Sequence, residues 1–145
     1  MSEKSDRAAA LFSSGFACSQ SVLAVFCEDY GLDSEIALKL SSGLGGGFKC
    51  GEICGAVSGS VLVIGLKCGQ FDVADTESKA VCTNKTREFL RIFRKRNHSV
   101  VCREILGCDV FSQKGKEKAA KENLFKTVCV DMVTSAVNIL EELGY

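Results

Sequence analysis

The chain has 145 residues, 46% of them apolar, with 18 Lys and Arg balanced by 18 Asp and Glu. That length suits one domain, residues 1–145, with enough apolar residues to bury a sizeable core. Zero net charge gives no global signal for nucleic acid or for an anionic membrane as a partner. The first sixteen residues lack the long apolar stretch of an export signal, so a cytoplasmic location is expected, where thiols stay reduced.

The predicted elements are all helical, a compact all-α bundle of about five to seven helices. No proline interrupts them. A first helix spans about Ser5 to Ser14 and ends at Gly15. A second begins near Cys18 and stops at Gly31. Asp33 is positioned to cap a third, with Ile36, Ala37 and Leu40 on one face. The chain then enters a glycine-dense segment, SGLGGGFKCGEICGAVSG, Ser42–Gly59. A very apolar fourth helix is expected from about Glu52 to Lys67. It is too short to span a membrane and reads as a core helix. Asp75 or Thr76 caps a fifth, ending near Asn97. A short element covers Ser99–Leu106. The last helix is expected as one rod from Lys116 to Leu143, with Phe125, Val128, Cys129, Met132, Val133, Ala136, Ile139, Leu140 and Leu143 at helical spacing.

Nine cysteines are many for a cytosolic chain, and none forms a C-x-x-C pair. Zinc ribbons and thioredoxin-like sites need that tight spacing, so any shared site must be gathered from distant segments. Cys18 and Cys102 open predicted helices, and Cys54 lies in the first turn of the fourth. Cys129 falls on the apolar face of the last. A helix N-terminus favours a thiolate, which makes Cys54 a candidate nucleophile, expected to alkylate faster than Cys27 or Cys68. Each cysteine alone also fits a small buried hydrophobe. Cys27 lies about 900° around a helix from Cys18 and faces the other way. Cys50 and Cys108 flank Cys54 and Cys102.

Gly51, Gly55 and Gly59 recur every four residues, giving a face open either to a second backbone or to a cofactor. This face and the last helix motivate the expectation of a homodimer. Arg87, Arg91, Arg94, Lys95 and Arg96 read as a solvated face suited to a helix C-terminus, and His98 beside them as solvated. GLGGGF follows a helix and lacks the Gly-Lys-Ser/Thr ending, so no nucleotide site is expected.

The segments FACSQSVL, GLGGGFKCGEICGAVSG and CREILG, with the late Cys129, resemble the family of redox-active proteins named for a C…GCAxxG…C…C pattern. The likeness runs from Cys18 to Cys129. The family's name writes Gly before Cys where this chain reads Cys54-Gly55. The resemblance implies four key cysteines, Cys18, Cys54, Cys102 and Cys129, in a small helical protein with a redox or metal role. A related domain occurs in split-Soret cytochromes, which carry haem and a non-haem iron centre. Haem does not transfer, because C-x-x-C-H is absent and His98 is the only histidine. An iron–sulfur cluster, or another thiolate-bound metal, fits four thiolates. The leading expectation is therefore iron bound for electron transfer or redox sensing, with at least three of the four sulfurs in mutual approach and an unidentified redox partner. The alternatives are a thiol–disulfide protein with Cys54 as nucleophile, and a non-catalytic interaction module.

Overall fold

The structure is a computed structural model and describes residues 2–145. It is helical, as its composition and periodicity require. Eight α-helices follow one another: α1 Glu3–Ser14, α2 Cys18–Ala24, α3 Ser34–Ser41, α4 Gly55–Cys68, α5 Thr76–Asn97, α6 Cys102–Leu106, α7 Gln113–Lys121 and α8 Val128–Glu142. Short helical turns cover Cys27–Tyr30, Gly47–Gly51 and Leu124–Lys126. Among the described residues, no helix is long and apolar enough to cross a membrane.

Helix starts follow their capping side chains. The Asp33 carboxylate accepts the Ile36 N–H at 3.1 Å, and Asp75 accepts that of Ser78 at 2.9 Å. Each satisfies a donor that the first helical turn leaves unpaired. Three predicted elements are corrected. The second helix ends at Ala24 and continues as a tighter turn that Gly31 closes at φ 77°. The fourth begins at Gly55, because Ile53 is held in an isolated antiparallel bridge to Val101. The long last helix is broken. Asn123 turns left-handed at φ 57°, the chain makes one turn, and α8 starts afresh at Val128. The break lets Leu124 point inward while Phe125 stays 44% exposed.

Helix α4 is the centre of the packing, lying against α2, α5 and α8. Val57, Val63 and Ile64 from α4 meet Val22 and Phe26, Phe89 and Phe93, and Val133, Val137 and Leu140, all fully buried. Phe89 and Phe93 stack one helical turn apart, with ring centres 5.9 Å apart.

The glycines of α4 let α2 come close. A Cβ on Gly59 would stand 2.7 Å from the Ser19 carbonyl oxygen, and one on Gly55 would stand 3.0 Å from the Ser19 nitrogen. Gly51 is not on this face at all. It lies in the preceding turn at φ 76°. Gly55 and Gly59 are thus used within the chain, against α2.

Candidate functional site

The α2–α4 contact and the Ile53–Val101 bridge together set the positions of the sulfurs. Cys18 is the first residue of α2, whose start is fixed by Gln20. The Gln20 side-chain oxygen accepts the Ala17 N–H at 2.8 Å, and its amide donates to the Leu38 carbonyl at 3.0 Å. Cys54 is the residue that opens α4. Its N–H donates to the Val100 carbonyl at 2.8 Å, and the Cys102 N–H donates to the Glu52 carbonyl at 2.6 Å. The two cysteines therefore flank one bridge, each at a helix start. Arg103 fastens it from outside, donating to the Glu52 carboxylate and, at 3.2 Å, to the Gly51 carbonyl.

Cys129 is the second residue of α8. The break at Asn123 moves it from mid-helix, where periodicity placed it, into a first turn. All four cysteines of the family pattern now stand at helix starts. They line one cavity of about 210 Å³, walled by Phe12, Ile105, Leu106, Val110 and Met132 among others. Four sulfurs from four segments of the chain, 18 to 129, are brought together by the fold.

Their electrostatics agree with this proximity. Every pair among the four feels the other's charge: Cys18 that of Cys54, Cys102 and Cys129, Cys102 that of Cys54 and Cys129, and Cys54 that of Cys129. Cys18 and Cys129 interact most strongly. Interaction with Cys129, then burial and the neighbouring like charges, raises Cys18 well above the ordinary thiol range. The same interaction lowers Cys129 by favouring its thiolate. Cys102 is pushed up to about 12 by burial and then by the Cys54 and Cys129 charges.

Cys54 departs from expectation. The Ala56 and Val57 N–H groups at the start of α4 do favour its thiolate. Burial outweighs them, since Cys54 is only 6% exposed, and the thiol is pushed up to about 11. Of the four, only Cys129 is shifted toward the thiolate.

No group of three or more His, Cys, Asp or Glu side chains among the described residues is arranged to hold a single metal ion. The four sulfurs share a cavity without closing on its centre. All nine cysteines are free. Cys27 is buried and turned to the Ala24 carbonyl, and Cys50 is exposed, donating to the Gly47 carbonyl at 3.4 Å. Cys108 donates to the Gly115 carbonyl at 3.7 Å, and its charge reaches Cys102. Cys68 and Cys82 lie at the other end of α4, near Tyr145, which burial and the charge of Cys68 push up to about 12. None of these five lines the cavity.

Sequence reasoning missed Lys49 and the aromatic wall of Phe111 and Phe125, which also line it. Only the tertiary fold brings these residues to the cysteines.

A helical fold that gathers four dispersed thiols into one cavity defines a cysteine-based site protein. The match to known families agrees. The model of the family described as "Putative redox-active protein (C_GCAxxG_C_C)" matches residues 16–143, and the chain belongs to that family. No curated protein and no solved structure matches the chain.

Proposed function

We propose that Cys18, Cys54, Cys102 and Cys129 hold an iron–sulfur cluster that serves electron transfer or redox sensing. The observation that carries this reading is the convergence of the four family cysteines on one cavity. The donor set fits the group. Four cysteine thiolates are the usual ligands of such clusters, and the cavity offers no histidine or carboxylate that would favour a harder metal. The cavity, about 210 Å³, leaves room for a group larger than one ion. Bound there, the cluster would supply one-electron uptake and release.

The chain's own residues prepare the site. The first turn of α4 directs the Ala56 and Val57 N–H groups toward Cys54, and Cys129 lies in the first turn of α8. A bound cation would reverse the burial penalty that keeps Cys54 and Cys102 protonated in the free protein. Met132 and Phe12 supply apolar wall around the sulfurs. In this reading the protein works in the reducing cytosol and exchanges electrons with a redox partner. Anaerobic purification followed by absorption spectroscopy tests it. The expected result is a broad visible band that bleaches under dithionite. A colourless protein, purified anaerobically from iron-replete cells, would rule against it.

A second reading has its own support: Cys18 and Cys129 line the same cavity and shift each other's ionisation in opposite directions. Here the Cys129 thiolate attacks a small-molecule disulfide and expels one thiolate. The Cys18 thiol loses its proton to that thiolate and displaces the second. The products are a Cys18–Cys129 disulfide, one thiol and one thiolate, and the two electrons pass to the reagent. Incubation with oxidised glutathione followed by peptide mapping tests this pairing. Recovery of both cysteines unmodified and unlinked would remove it.

A further inference from the structure

The walls of the cavity are sulfur and hydrocarbon, with one exception. Lys49 is its only charged residue. The ammonium itself is at the wall: Nζ lies 6.0 Å from the centre of the Phe111 ring, and 3.7 Å from where a Cβ on Gly45 would stand. Gly45 and Phe111 both line the cavity. The ion pairs among the described residues leave Lys49 out. Asp109, whose charge reaches Cys102, accepts the Phe111 N–H at 2.9 Å and does not line the cavity.

The backbone that presents this cation is unusual. Phe48 and Lys49 are consecutive non-glycine residues, both at φ 59°. Left-handed conformations at such residues persist only where the surroundings enforce them. Here they do. A Cβ on Gly46 would strike the Phe111 ring at 2.4 Å, and one on Gly47 would strike the Glu52 nitrogen at 2.4 Å. The Glu52 N–H closes the turn onto the Gly47 carbonyl at 2.9 Å. The loop holds this exposed side chain, which forms no ion pair among the described residues, at the wall of the cavity that the sulfurs also line.

We infer that Lys49 makes the cavity a receptor for small organic anions, favouring their access to the sulfurs over that of their neutral analogues. The inference rests on the four sulfurs sharing the cavity, as proposed above, but not on iron.

Iodoacetate and iodoacetamide provide the test. Both form a C–S bond at a thiolate and release iodide, and they differ in charge. Their rate ratio at one sulfur cancels that sulfur's own ionisation. The ratio is measured by mass spectrometry at Cys129 in reduced, metal-free protein, with Cys82 as the reference outside the cavity. A unit charge ~6 Å away in water changes an anion's local concentration about threefold, and reversing that charge changes it about tenfold. The normalised ratio should therefore fall about threefold in Lys49→Gln and about tenfold in Lys49→Glu, and hold in Lys49→Arg. None of these side chains is β-branched, so the backbone strain stays the same. Unfolding of the Glu variant would expose Cys27 to labelling, and Lys49→Gln then decides. An unchanged ratio in folded variants overturns the inference. So does a Cys129 that resists both reagents while Cys50 is fully modified. Iron content separates the two proposals: iron without charge selectivity sinks only this one, and selectivity without iron sinks only the cluster.

Discussion

Cys54 shows how burial can outweigh a helix terminus. Its place at the start of α4 was legible in the sequence, and so was the favourable field there. Its 6% exposure was not, because burial depends on what packs over a residue. At a pKa of about 11, only ~10⁻⁴ of the thiol is ionised at pH 7, so Cys54 should alkylate more slowly than exposed Cys50 or half-buried Cys68. Site-resolved labelling with iodoacetamide checks the order. Cys54 labelling first would show that the site is open. The same shift has a consequence for stability. Above pH 9 the unfolded state loses the Cys54 proton while the folded state keeps it, so the folded state binds more protons and stability falls as pH rises. The loss runs from about pH 9 to about 11 and amounts to about 3 kcal/mol from this residue. Urea denaturation of metal-free protein between pH 8 and 11 should show it. A Cys54→Ser variant should lose much less over that range.

At the scale of elements, two glycines of α4 make opposite predictions. Gly59 has the Ser19 backbone against it, so Gly59→Ala must push α2 away and should cost about 1–3 kcal/mol. Gly65 has nothing within 4 Å of a Cβ, so Gly65→Ala should be neutral, or raise stability by up to about 1 kcal/mol through helix propensity. Thermal unfolding of the two variants tests the pair, and equal melting temperatures would contradict the packing described. The same elements show what the sequence could reveal. Asp33 and Asp75 announce their helices through a side chain at the right offset, and both caps are present. Asn123 gives only a faint signal, since asparagine tolerates the left-handed conformation but does not require it. No proline or glycine marks the break, and the apolar rhythm runs through it in register. Only the demand to bury Leu124 and turn α8 onto the core selects the left-handed residue. The Ile53–Val101 bridge is also too short to leave an alternating pattern, yet it sets Cys54 beside Cys102.

For the whole molecule, the fold class came from periodicity, and the four site cysteines from the family resemblance. That they face one cavity follows from neither. It depends on close packing of α2 on α4, on a one-residue bridge, and on the break that returns Cys129 to a helix start. Lys49 was invisible for the same reason, since its relation to the sulfurs is purely tertiary. The central claim is that these four cysteines form one iron-binding redox site and the other five do not. Iron and acid-labile sulfide per chain, measured after anaerobic purification of single-cysteine variants, tests it most directly. Cys18→Ser, Cys54→Ser, Cys102→Ser and Cys129→Ser should each lose most of both, while Cys27→Ser and Cys50→Ser keep the wild-type content. Wild-type content in all four site variants, or equal loss in the two controls, would contradict it.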